Sequence, residues 1–137
     1  KAIDMVNTFS HCTLCAAVPG QGANVGSWTY GGARALMQYV LASNRSHNVF
    51  NIGFNACNSY ATGLEDMARV NCPVTFVLGS ADQMTPPKAA RSLIGAAGKS
   101  QVFTLPAGHS LMTEAPDGVL RAIQAAVKGM SQVRVSA

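Results

Sequence analysis

The sequence predicts an α/β fold built around two adjacent parallel strands. Three observations predict it. Val74 to Leu78 is a short, nearly continuous β-favouring run between Pro73 and Gly79, suited to a strand buried on both faces of a parallel sheet. Gln101 to Leu105 is a second strand, and "TPPKAARSLIGAAG" between them reads as a helix. A strand–helix–strand connection of that length is a right-handed crossover, which makes the two strands parallel neighbours.

The elements follow in order. Ile3, Met5, Val6, Phe9, Cys12 and Ala16 recur at three- and four-residue spacing, a loose amphipathic helix. "AVPGQGANVGSWTYGG" carries five glycines and a proline and reads as a long loop. Ala33 to Leu41 is the next helix, with Leu36, Met37, Tyr39, Val40 and Leu41 as a broad apolar face. After the polar break "ASNRSHN", a helix over Val49 to Tyr60 sets Phe50, Phe54 and Cys57 on one side, and a short helix spans Leu64 to Ala68. No strand signal occurs up to this point. Past the first strand, Thr85 is placed to cap the crossover helix, Pro86 sits in its first turn, where a missing N–H is harmless, and Gly98 ends it. "PAGHSLMTEA" is a loop, and Pro116 to Val127 is the last helix. The chain thus divides into a helical segment, 1–69, and a strand–helix–strand–helix segment, 70–137.

Composition narrows the function classes. With 48% apolar and 12% charged residues the chain is globular rather than disordered. The net charge is +4, but the ten Lys and Arg are scattered, with no basic stripe interleaved with aromatics, so nucleic acid is not an expected partner. No apolar run reaches the roughly 18–20 residues that span a bilayer, and no signal peptide is visible. Cys12 and Cys15 form a C-x-x-C beside His11, but Cys57 and Cys72 supply no second pair at zinc spacing. The four cysteines are expected to be buried, reduced thiols acting as small hydrophobes, which favours a cytoplasmic setting.

Chemistry concentrates in two loops. Ligands of open α/β sheets bind at the carboxyl ends of the strands. The first strand runs into "GSADQMT", presenting Asp82, and the second into "PAGHS", presenting His109, 27 residues on. One strand–helix–strand unit spans that distance, so both side chains emerge at the same sheet edge. There an Asp carboxylate can accept a hydrogen bond from a His ring N–H, fix its tautomer and stabilise the imidazolium. His47, in the polar loop "NRSHN", reads as solvated, and His11 as a surface residue or one with a local hydrogen bond.

"CPVTFVLGSADQMTPP" followed by "PAGHSLMTEAPDGVLRAI" resembles the carboxy-terminal part of the α/β-hydrolase family. In that family one strand ends in G-x-x-D, the triad acid. The next ends in G-H, the general base, followed by an acidic residue, a proline and the final helix. Gly79, Asp82, Gly108, His109, Glu114 and Pro116 fill those places. The resemblance covers residues 70–128 strongly. It covers 1–69 more weakly, where the Gly-rich loop, Trp28 and "NACNSY" look like a helical cap preceding the last core strands.

The resemblance implies a serine hydrolase of esterase type, with a Ser-His-Asp triad and no metal or organic cofactor. Haloalkane dehalogenases, epoxide hydrolases, cofactor-free haloperoxidases and C–C hydrolases share the architecture, and a non-catalytic binding module could retain it. The family's nucleophile sits on a G-x-S-x-G elbow, and this chain has none. "GHSLM" lacks the second glycine, Gly26-Ser27-Trp28 has the wrong spacing, and "LGSADQ" is the acid loop. The start "KAIDMV" has no initiator Met and opens inside a helical pattern. The expectation is therefore that these residues are the back part of a longer hydrolase, inactive alone. They would pair with a missing amino-terminal half or with a second copy. Trp28, Tyr30, Met37, Phe50, Phe54 and Met84 are the candidate apolar lining for a small ester or acyl substrate.

Overall fold

A computed structural model of the chain describes residues 2–10 and 25–133, without the side chains of Phe9, 25–29 and 130–133. The elements are helices α1 (Ala2–Ser10), α2 (Val25–Ser43), α3 (Val49–Ser59) and α4 (Gly63–Ala68), then strand β1 (Val74–Gly79). A 3-10 turn (Pro87–Ala90) runs into α5 (Arg91–Ala96), followed by strand β2 (Ser100–Leu105), α6 (Leu111–Glu114) and α7 (Pro116–Val133). Among the described residues this is a mixed α/β chain with one two-stranded sheet.

The strands are parallel, paired from Val74 with Ser100 to Gly79 with Leu105, as the crossover requires. The pairing continues past the strand ends. Ser80 N–H donates to Leu105 C=O at 2.8 Å and Ala81 N–H to Ala107 C=O at 3.0 Å, so the two following loops leave the sheet side by side. Gly79 is buried where they meet, and a Cβ there would collide with the carbonyl oxygens of Ala107 and Gly108. This is a position where only glycine permits the close approach of two backbones.

Helix α7 covers the sheet with its small residues. Gly118 lies against Leu105, and Ala122 is fully buried. Its larger apolar residues Leu120, Ile123 and Val127 are exposed. Ala107 and Ala122 are the buried hydrophobic residues among those described, and Val74 to Leu78 are only half-buried. A strand apolar on both faces is here covered incompletely, because two strands and their helices do not enclose both faces.

Two expectations from the sequence need correction. The loop expected through Tyr30 and Gly32 is helical from Val25 onward. Tertiary contacts outweigh the glycines there. Asn7 donates to the Tyr30 carbonyl at 2.8 Å, the Tyr30 hydroxyl donates to the Asp4 carbonyl at 3.3 Å, and Arg34 bonds the Asp4 carboxylate at 2.7 Å. These contacts fasten the first turns of α2 to α1, which offsets the helix penalty of about 1 kcal/mol per glycine. Secondly, Cys57 and Cys72 are free but exposed, not buried. Cys57 lies on α3, a helix with no buried residue. Cys12, Cys15 and His11 lie outside the described residues. No described helix is long and apolar enough to cross a membrane.

Candidate functional site

The turn after β1 is organised by one carboxylate. Asp82 N–H closes a turn onto Gly79 C=O at 3.2 Å. The Asp82 side chain then folds forward, and its Oδ1 accepts the backbone N–H of Met84 at 2.8 Å and of Thr85 at 2.9 Å. Aspartate does this readily because its short side chain mimics a backbone carbonyl two or three residues on. With Oδ1 fully used, Oδ2 is left for side chains. It accepts the Thr85 hydroxyl at 3.0 Å and lies 3.0 Å from His109 Nδ1. Thr85 Oγ1 is also 3.1 Å from Nδ1, so the three atoms form a nearly equilateral triangle.

This corrects the role expected of Thr85. It does not cap the crossover helix. Pro86 takes the cap position in extended conformation, and Pro87 begins the helical turn. The Thr85 hydroxyl had a stronger acceptor available in the ionised Asp82 carboxylate. Sequence spacing could not separate the two roles, since a Thr before a Pro-Pro helix start satisfies both.

The electrostatics of the pair follow from burial and hydrogen bonding. The Asp82 side chain is 6% exposed and the His109 side chain 41%. Burial works to raise the Asp82 pKa. Hydrogen bonds from Thr85 N–H, His109, the Thr85 hydroxyl and Met84 N–H outweigh it and hold the carboxyl below its ordinary value. An ionised carboxylate only accepts, so Nδ1 carries a proton and donates to it. The other ring nitrogen, Nε2, has no hydrogen-bond partner among the described residues and is the one able to take a proton.

The imidazole is fixed from both flanks. Gly108 N–H donates to the Glu114 carboxylate, and Ser110 N–H donates to the carbonyl of Ser10, the last residue of α1, at 2.9 Å. The Ser10 hydroxyl points back to the Val6 carbonyl at 2.8 Å and lies 3.6 Å from Met84 Sδ. The helical segment thus reaches the loops of both Asp82 and His109. No periodicity in the sequence signals that contact of α1, because its link to the His109 loop runs through backbone.

The other expected residues separate. Met37, Phe50 and Phe54 line an apolar pocket of about 220 Å³ between α1, α2 and α3, together with Ile3, Val6 and Leu41. Tyr30 instead braces α1 against α2, Met84 lies beside Ser10, and the Trp28 side chain lies outside the described residues. The His47 ring bonds the Ser46 hydroxyl and its N–H donates to the Asn44 carbonyl at 3.3 Å, in an exposed turn away from Asp82 and His109. Among the described residues no group of His, Cys, Asp and Glu converges as metal ligands would. Comparison of the chain with family models, with curated proteins and with solved structures gives no match.

Proposed function

We propose that Asp82 and His109 are the acid and general base of a hydrolase of the α/β-hydrolase type, acting on a small apolar ester or acyl substrate. One observation carries the reading. A buried, ionised carboxylate holds Nδ1 at 3.0 Å while Nε2 stays unused on a partly exposed ring, at the carboxyl ends of adjacent parallel strands. A structural ion pair has no need to leave the second nitrogen unengaged. A general base does, because Nε2 must reach a nucleophile's proton.

In this reading His109 Nε2 takes the proton of a serine hydroxyl as that oxygen attacks the substrate carbonyl. It then returns the proton to the leaving alkoxide, and Asp82 stabilises the imidazolium between the two transfers. The serine and the oxyanion-hole donors are assigned to polypeptide outside these 137 residues because the sequence carries no G-x-S-x-G elbow. The apolar pocket between α1, α2 and α3 is lined by neither Asp82 nor His109, so the substrate class rests on the family resemblance alone. No metal or organic cofactor enters the scheme.

The test is hydrolysis of p-nitrophenyl butyrate, and labelling by a fluorophosphonate, in the polypeptide as its gene encodes it. His109→Ala is expected to lower kcat by about 10⁴ with the label abolished. Hydrolysis untouched by that substitution overturns the reading. Residues 1–137 alone are expected to show no turnover. Esterase activity there, lost in His109→Ala, would overturn the assignment of the nucleophile to another segment.

A further inference from the structure

We infer that Glu114 is a positioning residue for His109, acting through the Gly108 peptide. Three contacts carry this. The Glu114 carboxylate accepts Gly108 N–H. The Gly108 carbonyl lies against Gly79, where no Cβ intervenes. On the far side of His109, Ser110 N–H is tied to the Ser10 carbonyl at 2.9 Å. Gly108 is buried, hydrogen-bonded at its amide and packed against Gly79 at its carbonyl, and the residue beyond the imidazole is held at its amide.

Glycine has no side chain to restrict its dihedrals. A Gly108 released from Glu114 would let the His109 Cα swing, and Nδ1 would leave its 3.0 Å position at Asp82 Oδ2. A carboxylate is suited to the task because bonds to charged acceptors are the strong ones. Glu114 touches neither substrate nor the reacting nitrogen. Its effect is confined to where the ring stands. The functional consequence rests on reading His109 as the base, but the geometry can be tested without turnover, so the two can fail separately.

The test uses the ¹⁵N-labelled polypeptide as its gene encodes it and two NMR readouts. One is hydrogen exchange of the Gly108 amide, and the other is the bonded Nδ1–H signature of the His109 imidazole. Glu114→Met keeps length and helix propensity and removes the acceptor. It is expected to speed Gly108 exchange by about ten- to a hundredfold and to broaden or abolish the His109 Nδ1–H signal. Glu114→Gln keeps an acceptor oxygen and should retain both readouts. If Glu114→Met leaves the His109 signature intact, Glu114 is structural only and the inference falls. It also falls if Glu114→Gln, which keeps a weaker acceptor, disturbs His109 as much as Glu114→Met, since keeping an acceptor for Gly108 N–H would then make no difference. Should Glu114→Met fail to fold, Gly108 exchange in the unsubstituted chain decides. Protection of at least about tenfold supports the inference, and exchange at the open-chain rate overturns it.

Discussion

Asp82→Asn separates the two halves of the carboxylate's work. Oδ1 faces two backbone N–H groups, from Met84 and Thr85, so the amide oxygen of an asparagine must take that place, and its NH₂ must turn toward Thr85 Oγ1 and His109 Nδ1. A donor then confronts Nδ1. The ring has to present a lone pair there and carry its proton on Nε2, the wrong tautomer for a base. Four hydrogen bonds pass from a charged to a neutral partner, each weakening by about 1 kcal/mol, a gross loss of about 4 kcal/mol. Release from burying a charge returns part of this, leaving a net cost of about 2 kcal/mol at neutral pH. Urea unfolding followed by circular dichroism measures the cost, and ¹⁵N imidazole shifts report the tautomer. The pH dependence has a definite sign. Because the folded-state pKa of Asp82 is lowered, its stabilisation is complete above the unfolded value of about 3.9 and fades as pH falls through the folded value. The gap between the two proteins should therefore close in acid. A gap that persists at low pH, or an Nδ1–H that survives in Asp82→Asn, would refute the reasoning.

Two glycine substitutions test the packing around the site and a second pair tests α2. Gly79→Ala drives a Cβ into backbone oxygens of Ala107 and Gly108, which cannot move without separating the acid and base loops, so a loss of about 3 kcal/mol or more is expected in thermal unfolding. Gly118→Ala meets only the flexible end of Leu105 at 2.9 Å and should cost about 1 kcal/mol. Equal losses at the two positions would contradict the backbone contact. Gly31→Ala and Gly32→Ala point into open space on a helix and should each stabilise by about 0.5–1 kcal/mol. No gain at either would mean that these residues are not helical.

What the sequence made legible, and what it hid, follows the range of the interactions concerned. Val74–Leu78 and Gln101–Leu105 could be read as strands because apolar runs bounded by Pro and Gly are local signals, and the crossover length then forces the parallel pairing seen from Val74 to Leu105. Asp82 and His109 could be brought to one edge for the same reason. Their sharing with Thr85 could not, since it depends on which of two acceptors a single hydroxyl prefers. The first turns of α2 were hidden because Asp4, Asn7 and Arg34, distant in sequence, override what Gly31 and Gly32 prefer locally. Cys57 was misread because a residue's type predicts burial only when something stands opposite it, and α3 has no buried residue.

The candidate site is better determined than the body that carries it, and the reason lies in the kind of interaction each uses. Ala107 and Ala122 are the buried hydrophobic residues among those described, while Leu120, Ile123 and Val127 stand exposed on α7. Hydrophobic burial, non-directional and proportional to area, cannot set an imidazole to within tenths of an ångström. Directional bonds can. Ser80 and Ala81 lock one loop to the other, Oδ1 locks the Asp82 turn to itself, and Glu114 and Ser10 hold the peptides beside His109. Nearly all of these bonds lie between Gly79 and Glu114, and among the described residues Ser10 is the contribution from the helical segment. It follows that substitutions in α2 and α3 should change stability while leaving the Asp82–His109 pairing intact. A change at the last turn of α1 should disturb both, because that turn belongs both to the helical packing and, through the Ser10 carbonyl, to the loop of His109.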